Sequence, residues 1–204
     1  TDPEYVNIHF SQNKIDTNQM NMLYNIADVT VLMSSNEGWG LSLTESLMSG
    51  TMIIANTTGG MQDQMRFEDE NGDWVDFSSE YPSNHRGRYR KHGKWSRPVY
   101  PSNISLAGSP TTPYIFDDRC SYEDVAEALV EVYNLPKQER DNNGLKGRDW
   151  VTSEESQMSS RNMSNNIINV LDKAFDSFVP RKRFDLIKVE EKESTFINQK
   201  TSNY

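Results

Sequence analysis

Cysteine is almost missing from this chain: Cys120 is the single one in 204 residues. A lone thiol forms no internal disulfide, so packing and hydrogen bonds must hold the fold, and the composition suits a reducing compartment; a cytoplasmic setting is expected. Long apolar runs are missing too. No stretch reaches the roughly 20 residues of a membrane helix, and no secretory leader is visible. Basic residues are in the minority, 21 against 30 acids, and the net charge of −9 disfavours nonspecific nucleic-acid binding by the surface as a whole. His9, His85 and His92 are scattered, with no metal-ligand spacing, so neither a metal nor a cofactor is expected. The Gly-x-Gly-x-x-Gly that opens the helix of dinucleotide oxidoreductases is absent. No internal repeat is present. A hydrophobic content of 35% suffices for one core.

What is present concentrates between Leu23 and Gly60. Val29 to Met33 is a short apolar run rich in β-branched residues, ended by Ser34, Ser35 and Asn36. Met52 to Ala55 is a second, ended by Asn56, Thr57, Thr58, Gly59 and Gly60. Between them Leu41, Leu43, Leu47 and Met48 give a helix an apolar face, closed at Gly50 by a left-handed residue. Two apolar strands joined by a helix form a βαβ unit. The expected fold class is therefore α/β, a Rossmann-like parallel sheet with helices on both faces.

The loop Glu37-Gly38-Trp39-Gly40 stands where the first strand hands over to the helix, the ligand-binding edge of open α/β sheets. Gly38 and Gly40 let backbone approach a ligand closely, and the unpaired N–H groups of a helix start favour an anion such as a diphosphate. Glu45 follows Leu41 by one helical turn, about 6 Å along the axis. Ionised carboxylates accept strong hydrogen bonds from sugar hydroxyls, so an acid before the cradle and one inside it suit a nucleotide-sugar.

At these residues the chain resembles the donor site of the retaining glycosyltransferases of GT-B fold, the group-1 type that includes glycogen synthase and sucrose synthase relatives. The matching elements are Tyr24, Ala27 and Asp28 before the strand, then Ser34 or Ser35 with Glu37, Gly38, Gly40 and Leu41. Glu45 follows, then Gly50-Thr51 and Gly59-Gly60. Met52 stands where the family usually has Pro. The likeness covers about residues 5 to 77, with looser similarity from Tyr122 to Val151. It implies the C-terminal, donor-binding half of a GT-B enzyme. Glu37, the candidate catalytic residue, would hold hydroxyls of the transferred sugar, and Glu45 those of the ribose. Gly38, Trp39, Gly40 and Leu41 would form the donor cradle. It also implies a donor such as a UDP-, GDP- or ADP-sugar, metal-independent transfer, and a partner acceptor domain that this chain does not contain. The family's basic pair for the donor phosphates is missing with the first strand–helix pair. The chain therefore reads as part of a longer protein, with weak donor binding and no turnover by itself. The acceptor is not specified. A nucleotide-sugar epimerase of the same fold and a non-catalytic nucleotide-binding module are the alternatives. A glycosidase acid pair is disfavoured, because both glutamates flank one anion cradle.

Around this segment, Tyr5 to Phe10 alternates as a strand, and Asp16 or Thr17 caps a helix through Met20, Leu23 and Tyr24. In the loop between them Ser11, Asn13 and Lys14 are candidate nucleobase contacts, with a plain solvated loop as the equal alternative. A short helical segment from Met61 to Met65 and a strand from Asp73 to Phe77 come next. Residues 78 to 113 then read as a basic loop insertion. Arg86, Arg88 and Arg90 in it are candidate phosphate contacts; an acidic acceptor, lipid headgroups in a peripheral membrane contact, or single-stranded nucleic acid, which a basic-aromatic mixture suits, are further anion readings, and a solvated loop docking on acidic surface of the missing domain is the plainer one. Tyr114 to Phe116 is a short strand, and Ser121 caps a helix. Pro136 opens another running toward Gly144 or Gly147. Thr152 or Ser153 caps a last helix that ends near Pro180. The donor domain is thus expected over 1–180, with a polar tail at 181–204.

Overall fold

The computed structural model describes residues 8–75, 78 and 81–181. A parallel sheet of three strands carries the fold: β1 (Val29–Leu32), β2 (Met52–Asn56) and β3 (Ser96–Val99), in that spatial order. Val29 stands opposite Met52, and Ile53 opposite Ser96. Five helices accompany it among the described residues: α1 (Thr17–Ile26), α2 (Leu41–Met48), α3 (Tyr122–Asn134), α4 (Lys137–Thr152) and α5 (Ser160–Ser177).

The central strand shows why the sheet is covered on both faces. Every residue of β2 is buried, as an unbroken apolar run in a parallel sheet demands. Successive side chains alternate. Ile53 and Ala55 pack with Leu43 and Leu47 of α2 and Trp150 and Val151 of α4. Met52 and Ile54 turn the other way, onto Val99 of β3 and Ala128 and Val132 of α3. Each fully buried isoleucine contributes about 1.5–3 kcal/mol of transfer free energy.

Local signals fix the helix ends. Asp16 caps α1 through the backbone N–H groups of Asn18 and Gln19, and the Gln19 side chain returns to the Asp16 N–H, closing a capping box. At the end of α2, Gly50 has φ +78°. The Thr51 N–H reaches Ser46 O at 3.0 Å and the Gly50 N–H reaches Leu47 O at 2.9 Å, the six-to-one and five-to-two bonds of a Schellman end. The expected apolar face of α2 is narrower than its sequence suggests. Leu43 and Leu47 are fully buried, but Leu41 and Met48 are 69% and 49% exposed. Ser46 takes the inner position and donates to Thr30 Oγ1 of β1 at 2.8 Å.

Several further expectations are corrected. Ile8 to Phe10 form no strand, and the rest of that expected strand lies outside the described residues. Of the strand expected at Asp73 to Phe77, Trp74 makes an isolated bridge with Glu68, and residues 76 and 77 lie outside the described residues. The stretch 78–113 is more than a loop. It supplies β3 to the sheet and then β4 (Asn103–Ser109), which pairs antiparallel with β5 (Thr112–Arg119). This second, two-stranded ribbon exposes Leu106, Tyr114 and Phe116. Ser153 ends α4 rather than starting the last helix, which begins at Ser160. The tail beyond Arg181 lies outside the described residues. The chain divides into two compact units, Thr1–Ser164 and Asn165–Tyr204.

Helix α4 passes through both glycines expected to stop it. A Cβ on Gly144 would lie 1.8 Å from Gly50 O, and one on Gly147 would lie 2.7 Å from the Leu47 side chain and 2.8 Å from Trp95. Glycine here lets α4 press onto the end of α2, and that contact outweighs its poor helix propensity of about 1 kcal/mol. Gly144→Ala should therefore destabilise the protein by about 1–3 kcal/mol, as overpacking does, although alanine is the better helix former. Denaturant titration checks this: a midpoint that rises would mean the helices separate freely.

Candidate functional site

Because β1 and β2 are parallel, both carboxyl ends open at one edge, and the loops that follow them meet there. Asn56, 1% exposed, ties their roots together: its amide donates to Ser34 O at 2.9 Å and to Asp118 O at 2.8 Å. Beyond that tie the backbones touch directly. The Gly60 N–H donates to Glu37 O at 3.3 Å. A Cβ on Gly59 would lie 2.0 Å from Glu37 O, and one on Gly60 2.2 Å from Gly38 O. Only glycine fits at either position.

Gly40 then turns the chain into α2 with φ +83°. Trp39 is fastened to that helix. Its indole N–H donates to Thr44 Oγ1 at 2.9 Å, Thr44 donates to Gln64 Oε1 at 2.8 Å, and Gln64 Nε2 returns to Trp39 O at 2.6 Å. Gln64 is fully buried, so this circuit fixes the loop from beneath. Leu41 remains exposed at the helix mouth.

The two loops form a cleft of about 300 Å³, lined by Glu37, Gly38, Gly59, Gly60, Asp63 and Tyr81 among others. Its far wall is Tyr81, Pro82 and Ser83. The Gly59 N–H donates to Ser83 O at 2.8 Å, and buried Gln62 donates to the same oxygen at 2.8 Å. Asp118, at the root of the β4–β5 ribbon, accepts from Thr58 Oγ1 at 2.6 Å and from Asn84 Nδ2 at 2.8 Å. Asp63 and Tyr81 were not among the residues expected here. Tyr81 lies beyond the likeness read at about residues 5 to 77, and Asp63 follows Gly60 on a 3₁₀ turn (Asp63–Met65) whose orientation a linear pattern does not give.

Glu45 opens into a different cleft, about 720 Å³ between α1 and α2, lined also by Tyr24, Asn21, Asn25 and Arg148. The Tyr24 hydroxyl donates to Glu45 Oε2 at 2.9 Å. Burial, and then the adjacent carboxylate, push the Tyr24 phenol up to about 12. Ile15 and Thr17 line the same cleft. They end the loop that carries the candidate nucleobase contacts Ser11, Asn13 and Lys14, all exposed. Among the described residues no ion pair includes Glu37 or Glu45. Asp28, part of the same sequence signature, instead pairs with Arg140 at 3.1 Å, a contact of about 0–1 kcal/mol at this exposure.

The arginines of the basic loop lie elsewhere. Arg90 stacks over Tyr100 at 4.2 Å and Arg88 over Tyr89 at 5.4 Å. Both line a third cleft together with Glu68, Asp69 and Glu70. Arg86 is an exposed turn residue with φ +51°. None of the three lines the Glu37 cleft. Among the described residues no group of three or more His, Cys, Asp or Glu is placed to hold a metal ion, and no helix is long and apolar enough to cross a membrane.

Behind Tyr81 stands His85, 5% exposed, edge-on to Phe67 at 4.4 Å and 6.1 Å from the Tyr81 ring. Burial pulls its imidazole down to about 4. The unfolded chain takes up a proton at about pH 6.5, and the folded chain refuses it until about pH 4. His85 therefore supports the fold at neutral pH, and that support is lost as pH falls through this window. His85→Phe keeps a ring and removes the titration. Denaturant melts at neutral and mildly acidic pH should show a smaller acid loss in the variant; equal losses would put the acid sensitivity in other groups.

Residues 6–81 match the family model described as glycosyl transferases group 1. The matched span holds β1, α2, β2 and both glycine loops, and it supports a role in glycosyl transfer. No curated protein matches the chain.

Proposed function

We propose that this chain is the donor-binding domain of a retaining glycosyltransferase of GT-B type, which moves a sugar from a nucleotide-diphospho-sugar to an acceptor. The observation that carries the reading is the Glu37 cleft. Glu37 and bare glycine backbone line one opening at the carboxyl edge of a parallel sheet, inside the span matched to the group-1 family. In this reading Glu37 accepts hydrogen bonds from hydroxyls of the transferred sugar. The diphosphate lies toward the start of α2, whose first N–H groups favour an anion. Glu45, set by Tyr24, takes the ribose, and the nucleobase lies toward Ser11, Asn13 and Lys14.

The chemistry breaks the bond from the sugar's anomeric carbon to the diphosphate oxygen, which leaves with the electron pair. The acceptor oxygen bonds to that carbon on the same face, and its proton passes to the departing phosphate oxygen. The protein's part is to hold the donor and stabilise charge on the departing phosphate. Among the described residues, those lining the Glu37 cleft include the acids Glu37 and Asp63 and no Lys or Arg. With no cation there to offset the diphosphate charge, donor binding by the chain alone is weak and unproductive.

Isothermal titration with UDP-glucose, GDP-mannose and ADP-glucose, and with the parent nucleoside diphosphates, tests the assignment. One nucleotide-sugar should bind. Glu37→Gln should weaken it about tenfold, the difference between a charge-assisted and a neutral hydrogen bond, and should leave the matching diphosphate nearly unaffected. A variant that binds both ligands as the parent does would remove Glu37 from the site.

A further inference from the structure

The β4–β5 ribbon has two unlike faces, because successive side chains along a strand alternate. In the regular part of the pairing Ile104 stands opposite Asp118 and Leu106 opposite Phe116, so these four share one face. Ser105, Asp117 and Arg119 share the other. There the Arg119 guanidinium donates to Ser105 Oγ at 2.6 Å and pairs with Asp117 at 3.1 Å, so the polar face satisfies itself. The first face is uncovered. Leu106 is 58% exposed, Phe116 64% and Ile104 37%. Apolar side chains grouped in this way mark a contact surface more often than chance exposure does.

Asp118 shows where that face leads. It is the innermost of the four, and its carboxylate accepts from Thr58 and Asn84. Thr58 precedes Gly59 and Asn84 follows Ser83, and both of those neighbours line the Glu37 cleft. Phe116 lies two residues out from Asp118 on the same face, about 7 Å along the strand, with Leu106 beside it. An apolar strip therefore runs outward from the flank of the cleft.

Size and charge narrow what covers it. Three partly exposed apolar side chains present roughly 300 Å², well short of the about 800 Å² that each partner contributes to a stable protein interface. A second copy or a protein partner would find too little to hold. The charged member of the face is a carboxylate, which does not favour an anionic lipid surface. A single hydrocarbon chain fits both limits.

We propose that this strip seats the apolar tail of an amphiphilic acceptor, a hydroxyl-bearing head group joined to a hydrocarbon chain, with the head toward the Glu37 cleft. The proposal rests on the donor-site reading above and adds the chemical class of the acceptor. The ribbon's part is position alone: it brings the head-group hydroxyl to the side of the cleft where the sugar is held.

The test titrates the full chain with hexyl and octyl glucoside below their micelle-forming concentrations, with methyl glucoside as the control, followed by two-dimensional amide NMR. The alkyl glucosides should bind and shift Leu106 and Phe116, and methyl glucoside should not. Each added methylene should tighten binding about three- to fourfold. Leu106→Ser and Phe116→Ser, both at exposed positions, should each weaken octyl glucoside about tenfold and leave binding of the parent's nucleotide-sugar unchanged. Failure of the alkyl glucosides to bind, affinity that ignores chain length, or affinity that survives both substitutions would overturn the proposal. So would self-association abolished by the substitutions, which would make the strip a contact between copies. Binding to phosphatidylcholine–phosphatidylserine vesicles abolished by them would equally overturn it, in favour of a membrane surface. In all these cases the donor-site reading stands or falls separately, on the nucleotide-sugar titration. A chain that binds octyl glucoside on the ribbon and no nucleotide-sugar would take down both, because the seated molecule would have no sugar to accept.

Discussion

Two stretches of bare backbone meet at the carboxyl edge of the sheet, and the rest of the site depends on that contact. Glu37-Gly38 lies on Gly59-Gly60 so closely that a single methyl group on either later glycine would strike a carbonyl oxygen near 2 Å. The contact explains why loops from two strands form one cleft. It holds the Glu37 carbonyl inward, against the Gly60 N–H, and sets Glu37 in the wall of the opening. The supports around it are polar and buried: Asn56 at the strand ends, Gln62 and Gln64 beneath the turns. Hydrogen-bonded side chains in that position fix geometry that loop backbone alone would not hold.

The parts of this arrangement legible in the sequence are those written in local pattern. β-branched runs gave the strands, Gly50 gave the end of α2, and Glu37 to Gly40 gave the opening of the helix. The close approach of Gly59-Gly60 was marked by composition, but its partner was not, because a backbone contact between distant segments leaves no periodicity. Helix α4 was cut short in the reading for the opposite reason. Gly144 and Gly147 look like stop signals until the surface they press on is known. Leu41 and Met48 were assigned to an apolar face that proved narrower, with Ser46 inside it bonding across to Thr30.

Residues 78–113 were the hardest to read. Proline, serine and glycine there suggest a loop, yet β3 completes the sheet with only four residues, one of them Pro98. A short strand at the far side of β2 tolerates that proline, and its pattern is too brief to stand out. The arginines drew attention as a charge cluster. In the fold Arg88 and Arg90 lie over tyrosine rings, beside the acids of another cleft. Charge counting finds such patches without saying which way they face. Tyr81 went unnoticed because a single aromatic carries no pattern at all.

Asp118 gives the β4–β5 ribbon a mechanical meaning. Its backbone carbonyl is held by Asn56, and its two carboxylate oxygens grip Thr58 and Asn84, on either flank of the pocket. Removing that one carboxylate would release Thr58 and Asn84 together, so a single side chain ties the ribbon's root to both.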